Sequence, residues 1–354
     1  MKSWAFLLLL VEISGLASGS LYGPADSCKG RCNEKYNRED ECHCDTNCEQ
    51  NQNCCEDYHI HCKTGTTDDK EKEGFSYRGN TITDEELQEA SEKIYQTDHN
   101  RAEESDIILN KQYFTSKTNG HENNSPDLLF TYVNHEKLFS RPTYASFIKL
   151  LDNYQAHVRT EEKFTKEQIK EQDIFLQDIM KTEVMKELYK FLHSKNRYDT
   201  EAEFVEDLKK IWFGLYSRRN DVNDNDSSGF EHVFVGEIKN GKVSGFHNWI
   251  RFYLLEKQGV VDYFSHSYDG PWTSYPDVLG MQFSFDGFYK EVGSAFIGSS
   301  PEFEFGLYSL CFIARPGKVC HLKIGGHNLN IQTWEKSTDD DGKKYIASAY
   351  AVTP

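Results

Sequence analysis

Apolar positions fall into two regimes along the chain. Between about residue 80 and residue 215 they recur three and four apart, the period of a helix with one buried face. Thr83 with Glu86 makes a capping box ahead of Leu87, Ala90, Ile94 and Tyr95. A second helix is predicted from about Pro142, with Tyr144, Phe147, Leu150 and Leu151 on one stripe. Thr165 and Gln168 open a longer stretch through Ile169, Phe175, Ile179, Met185, Leu188, Phe191 and Leu192. Thr200 and Glu203 open another, carrying Phe204, Val205, Leu208, Ile211, Trp212 and Leu215. After about Phe230 the pattern turns to strands. His232 to Ile238 is rich in β-branched and aromatic residues, and Asn240-Gly241 supplies a two-residue hairpin turn. Strands are also predicted from Val260-Val261 onward and over Gln282–Phe285, Lys318–Ile324 and Tyr345–Val352. Between them, Ser300, Pro301 and Glu302 read as the cap and first turn of a helix through Glu304, Leu307 and Leu310. Helices first and mainly antiparallel strands later predict an α+β fold.

The N-terminal part follows neither regime. Lys2, an apolar run from Phe6 to Val11 and the small residues Ala17-Ser18-Gly19 read as a secretory signal over residues 1–19. That run is shorter than the roughly 20 apolar residues a bilayer needs, so no membrane anchorage is expected. Eight of the ten cysteines then crowd between Cys28 and Cys62: Cys28, Cys32, Cys42, Cys44, Cys48, Cys54, Cys55 and Cys62. So short a stretch cannot bury a core, and an exported chain with an even cysteine count is expected to staple it with disulfides. The competing reading pairs Cys28/Cys32 with Cys44/Cys48 as a zinc site. Residues 67–79 are polar and charged and read as a linker, which sets off residues 24–66 from 80–354.

Charge narrows the function classes. The 354 residues carry 40 Lys and Arg against 57 Asp and Glu, a net charge of −17, which argues against a protein that coats nucleic acid or membranes through a basic surface. A polyanionic substrate in a local basic groove is still compatible. Asn123-Asn-Ser125 and Asn225-Asp-Ser227 fit the glycosylation pattern. Were Pro316-Gly317 a two-residue turn, Cys311 and Cys320 would lie diagonally across a hairpin, too far apart for easy bonding, so buried free thiols are expected.

Two of the 13 histidines have a distinctive setting: Gly229-Phe-Glu-His232 and Gly245-Phe-His247, which the Asn240-Gly241 hairpin should bring together. Lys290 stands at the end of a predicted strand beyond them. Two imidazoles and an ammonium suit cleavage of RNA by its own 2′-hydroxyl: one takes a proton, one returns a proton, and the cation stabilises the charged phosphorane. Two other readings stay open, a zinc site of His232, His247 and Glu237, and histidines that are merely structural. No G-x-S-x-G elbow, P-loop or dinucleotide fingerprint occurs.

Resemblance adds to this. The cysteine frame, with Cys42-His-Cys44-Asp45 and Asn53-Cys54-Cys55-Glu-Asp57-Tyr58, is similar to a somatomedin B domain, a disulfide knot that binds protein partners. Glu49 to Asn53 lacks the aromatics the best-known member uses for docking, and the chain has no Arg-Gly-Asp. From Gly229 on, Gly-Phe-Glu-His-Val-Phe-Val-Gly-Glu, Gly-Phe-His-Asn-Trp-Ile and Lys-Glu-Val-Gly-Ser-Ala-Phe-Ile-Gly-Ser-Ser-Pro-Glu-Phe-Glu resemble the EndoU family of uridylate-specific endoribonucleases. The two modules together resemble that family's secreted vertebrate type. The resemblance implies His232, His247 and Lys290 as catalytic residues, with His247 the base and His232 the acid. It implies that Glu231 and Glu237 orient the histidines, and that Ser294 and Tyr350 recognise uracil. It also implies single-stranded RNA as substrate and Mn²⁺ as cofactor at ligands the sequence does not identify; the signal segment makes an extracellular location expected, and a monomer is expected. The alternative is an extracellular binding protein that uses the cysteine knot and has no enzymatic activity.

Overall fold

The computed structural model describes residues 81–116, 122–218, 225–337 and 344–354, with residues 28, 32–36, 42–51, 53–55, 58 and 62 of the cysteine-rich part. The expected signal segment and linker lie outside the described residues. The chain divides into two compact units, residues 1–71 and 72–354.

In the first unit, disulfides join Cys28–Cys44, Cys32–Cys62, Cys42–Cys55 and Cys48–Cys54. One helical turn, α1 (Cys48–Asn51), is the only regular element among its described residues. Its interior is Cys28, Cys44, Cys48, Cys55 and Tyr58. The core is therefore mostly sulfur, and cross-linking of the unfolded chain replaces apolar burial as its source of stability.

The second unit begins with α2 (Asp84–Gln96), whose Thr83–Glu86 capping box forms as predicted. Strands β1 (Ile107–Leu109) and β2 (Phe130–Val133) pair antiparallel. Helices α3 (His135–Phe139), α4 (Pro142–Leu150), α5 (Lys166–Met180), α6 (Glu183–Ser194) and α7 (Glu201–Phe213) follow. The long stretch predicted from Thr165 is thus two helices, because Thr182 caps a new one by accepting from the Met185 amide. Then come β3 (Glu237–Lys239) and β4 (Lys242–Ser244), joined through Asn240 and Gly241, both at positive φ as this hairpin turn requires. Helix α8 (Trp249–Lys257) leads into β5 (Val261–Asp269), β6 (Asp277–Phe285) and β7 (Phe288–Ile297), one antiparallel sheet. Helix α9 (Pro301–Ala314) precedes β8 (Val319–Ile324), β9 (His327–Ser337) and β10 (Lys344–Ala351), a second antiparallel sheet in the order β10-β9-β8. The α+β class holds.

Three expectations are corrected. Residues 232–235 of the predicted strand lie instead in a π-helical turn, Glu231–Val235, wholly buried, so packing overrides their strand propensity. Lys290 is the third residue of β7 and follows its turn, rather than ending a strand. Cys311 and Cys320 are bonded to each other, with Cα atoms 5.6 Å apart. The hairpin assumed for them is absent: Cys311 rides on α9, which packs its buried side where Cys320 of β8 can meet it. The core centres on aromatic rings, with Trp212 stacked on Phe305 at 4.7 Å and on Phe234 at 5.1 Å.

Candidate active site

The site is built around one tight reversal. After β4, Gly245 and Phe246 both take positive φ, +67° and +68°. For a phenylalanine this costs on the order of 1–3 kcal/mol, so the surroundings must impose it. They do: the Phe246 amide donates to the His232 carbonyl at 2.8 Å, and its ring packs edge-on against Phe283 and Phe285. A Cβ on Gly245 would stand 1.8 Å from the His232 carbonyl oxygen, so only glycine fits. The reversal lays residues 245–247 along the π-helical turn, and the His247 amide donates to the Val233 carbonyl at 2.7 Å. The Lys290 ammonium reaches in from β7 and donates to the Gly245 carbonyl at 2.8 Å. His232, His247 and Lys290 are thus gathered around Gly245.

Each imidazole is held by Nδ1. That atom of His247 lies 2.8 Å from the Ser294 carbonyl, which can only accept, so Nδ1 carries the hydrogen and neutral Nε2 a lone pair. In His232, Nδ1 lies 2.5 Å from Glu237 Oε2. Glu237 is fully buried, which by itself would push its carboxyl up, but Arg218 and His232 outweigh burial and hold it at about 2. It is therefore ionised and accepts from His232. Arg218 Nε donates to Glu237 Oε1 at 3.2 Å, and the Ser227 hydroxyl donates to the same oxygen. Nε2 of each imidazole has no hydrogen-bond partner among the described residues.

Burial sets the titrations. It lowers His232 to about 4, with Arg218 pushing the same way and Glu237 opposing. It lowers His247 well below the usual histidine range, aided by Lys290. It lowers Lys290 to about 8. Charges that repel each other here would all be relieved by an anion, because a negative group favours every protonated form.

Ser294 and Tyr350 stand at the same place. The Tyr350 ring stacks on His247 with centroids 5.1 Å apart and planes 20° from parallel. Ser294 donates its hydroxyl to the Ala351 carbonyl at 2.6 Å, which ties β7 to β10 and leaves its lone pairs available. Glu231 behaves differently from Glu237. It is buried, neither oxygen has a hydrogen-bond partner, and burial together with Glu237 raises its carboxyl well above the usual range. It makes no hydrogen bond to either imidazole. Asn123 and Asn225 are exposed, and the Asn123 amide donates to Asp262 at 2.9 Å.

Three residues at the site have no local sequence signal: Arg218 and Ser227, which fix Glu237, and half-exposed Trp334, whose Nε1 lies 3.5 Å from the Tyr350 hydroxyl. Only the spatial partner reveals each of them. Among the described residues, the sole set of three metal-ligating atoms that converge is the sulfurs of Cys28, Cys44 and Cys55, all in disulfides. Among the described residues, His232, His247 and Glu237 do not converge as a zinc site. No helix among the described residues is long and apolar enough to cross a membrane.

Comparison with known proteins shows the family. The endoribonuclease XendoU family matches residues 86–351, and the somatomedin B domain matches residues 26–65. The chain is 59% identical to a uridylate-specific endoribonuclease of Bos taurus, over 98% of this chain and 83% of that protein. It is 58% identical to the Homo sapiens protein of the same name, over 97% of this chain and 82% of that one. The solved structure of XendoU, described as a splicing-independent snoRNA-processing endoribonuclease, superposes with a TM-score of 0.63 at 37% identity, covering 77% of this chain and 98% of that one. The chain belongs to the XendoU family of endoribonucleases, with a somatomedin B domain preceding the family region.

Proposed function

We propose that the chain is a secreted endoribonuclease that cuts single-stranded RNA at uridylates and leaves 2′,3′-cyclic phosphate and 5′-hydroxyl ends. His247 Nε2 takes the proton of the 2′-hydroxyl, and the 2′-oxygen attacks phosphorus. The bond from phosphorus to the 5′-oxygen breaks, and His232 Nε2–H protonates the departing oxygen. The Lys290 ammonium stabilises the extra negative charge on the phosphorane. One proton is taken and one returned, and solvent exchange resets the two imidazoles. Ser294 pairs with the uracil edge and Tyr350 lines the base and ribose.

The observation that carries this reading is the pair of imidazoles held by Nδ1, each with Nε2 unengaged, beside the Lys290 ammonium. His232 must be protonated to act, and it rests low in the free protein. The arriving phosphate raises it, so substrate itself charges the acid.

Mn²⁺ enters as a mediator of binding and not of chemistry. It offsets repulsion between a chain of net charge −17 and a polyanion, so Mn²⁺ should lower KM and leave kcat unchanged. Export is supported by the five disulfides, which persist in oxidising compartments. The cysteine knot binds a protein partner, the exposed Tyr36 ring being available for contact. The test incubates mature protein and His247→Ala with a uridine-containing oligonucleotide, with and without Mn²⁺. Uridine-dependent cleavage to cyclic phosphate by the wild type alone is expected, and equal cleavage by both would overturn the assignment.

A further inference from the structure

One buried carboxyl outside the histidine–lysine group faces the residue that follows the base. Glu304, in the first turn of α9, is fully buried, and no cation among the described residues bonds to it. Its Oε1 accepts from the Ser299 hydroxyl at 2.5 Å. Both its oxygens lie 3.3 Å from Nδ2 of Asn248. The orientation of that amide is set by its Oδ1, which accepts from the Arg251 amide at 2.9 Å and caps α8. Trp249, next in line, donates its indole N–H to the Ser299 carbonyl at 2.9 Å. The segment 299–304 therefore grips the two residues immediately after His247.

Besides the stacked Tyr350 ring and a backbone bridge from Asn248 to Phe296, three hydrogen-bonded ties position His247. Two run to backbone carbonyls, Val233 and Ser294, and no side-chain substitution removes them. The third, through Asn248 to Glu304, is made of side chains alone. A carboxyl with no cation is an unfavourable occupant of a sealed interior, and a leucine of similar size would pack there at lower cost. What the carboxyl supplies and leucine cannot is an acceptor for the Asn248 amide.

We infer that Glu304 is a positioning residue for the cleavage reaction, fixing Asn248 and through it the backbone that aims His247 Nε2 at the 2′-hydroxyl. The inference rests on His247 acting as base. Glu304 touches neither substrate nor the reacting atoms. Its removal should lower kcat with little change in KM, because RNA still meets Ser294, Tyr350 and Lys290 unaltered.

The experiment measures kcat and KM on a uridine-containing oligonucleotide for wild type, His247→Ala, Glu304→Leu, Glu304→Gln, Asn248→Ser and the Asn248→Ser/Glu304→Leu double variant. Glutamine keeps an acceptor for Asn248, and its amide can donate to the Ser299 oxygen once that hydroxyl turns its own hydrogen away, so Glu304→Gln should stay within about threefold of wild type in kcat. Glu304→Leu should lose on the order of tenfold or more in kcat, with KM within about twofold. Asn248→Ser retains a helix-capping hydroxyl while dropping the amide donor, so it reads the same tie even should Glu304→Leu fail to fold. The double variant should lose no more than the worse single one, since both break one contact. Wild-type kcat in Asn248→Ser or in folded Glu304→Leu would overturn the inference, as would multiplying losses in the double variant or equal damage from glutamine and leucine. Wild-type cleavage abolished by His247→Ala alone in the set would sink the Glu304 tie and spare the active site, whereas inactive wild-type protein would sink both.

Discussion

The Tyr350 ring lies nearly parallel on the His247 imidazole, centroids 5.1 Å apart, so β10 forms one wall of the His247 environment. The ring's other tie is at its hydroxyl, which approaches Trp334 Nε1. Under the proposed reading the aromatic face matters more than the hydroxyl. Tyr350→Phe should keep most activity. Tyr350→Ala should raise KM for uridine substrates by roughly 10–100-fold, the size of a lost base stacking contact. Steady-state kinetics on uridine and cytidine dinucleotides read both effects, and an unchanged KM in the alanine variant would remove Tyr350 from recognition.

Gly245 should be irreplaceable. Alanine there would put a methyl against the His232 carbonyl, and both the Phe246 tie and the Lys290 contact depend on that approach. Gly245→Ala is expected to reduce kcat by at least about 100-fold, the scale of one misplaced proton-transfer group. Alanine at Gly241, where a Cβ meets nothing within 4 Å, should be far milder despite its own positive φ. Activity comparable in the two variants would contradict this.

The alkaline side of the pH profile carries Lys290. Its ammonium is charged below about 8 and lost above it, against an ordinary lysine near 10.5. His232 must be protonated yet sits near 4 in the free protein, so kcat/KM already falls with rising pH before Lys290 titrates. The fall should steepen above about pH 8. In Lys290→Arg, whose guanidinium stays charged, the steepening should vanish. A single slope through pH 9.5 in wild type would place the cation elsewhere.

Arg218 and Glu237 should act through His232. Glu237→Gln removes the ionised acceptor of the His232 Nδ1–H, and Arg218→Met leaves Glu237 buried without its cation. Both should lower kcat on RNA by roughly 10²–10⁴-fold, the usual worth of a general acid. On a uridine 3′-(4-nitrophenyl phosphate), whose leaving group needs no proton, both variants and His232→Ala should recover most of the loss. His247→Ala should not. Equal losses on the two substrates would reverse or dismiss the acid assignment.

The Cys311–Cys320 bond closes a short loop between α9 and β8, nine residues apart in sequence. Replacing both with alanine should cost about 2–3 kcal/mol of stability by the loop-entropy estimate. Denaturant melts should show this, with kcat at 25 °C unaltered. A variant as stable as wild type would mean the bond adds no constraint.

Much of the fold was legible wherever one side chain could announce a local event. Thr83, Thr165 and Thr200 each cap a helix within three residues, and Asn240-Gly241 needs no distant partner to turn. Helix α8 was invisible because it is buried on most sides, with Trp249, Ile250, Phe252, Tyr253 and Leu255 inside, which erases the two-faced pattern. The π-helical turn defeated strand propensity for the same reason. At the site, the histidines announced themselves through two Gly-Phe segments. Arg218, Ser227 and Glu304 did not, since each acts across a gap in sequence that only the folded chain closes. The disulfide in the second unit was misjudged by assuming a hairpin where a helix meets a strand.

The hydroxyl of Ser294 reaches the carbonyl of Ala351, and this stitch between two sheets has a temporal meaning. A ribosome must synthesise the polypeptide through Ala351 before the Tyr350 wall beside His247 can exist. Until then His247 lacks its stacking neighbour. The proposed cutting centre is thus complete only once β10 has been made and has docked on β7.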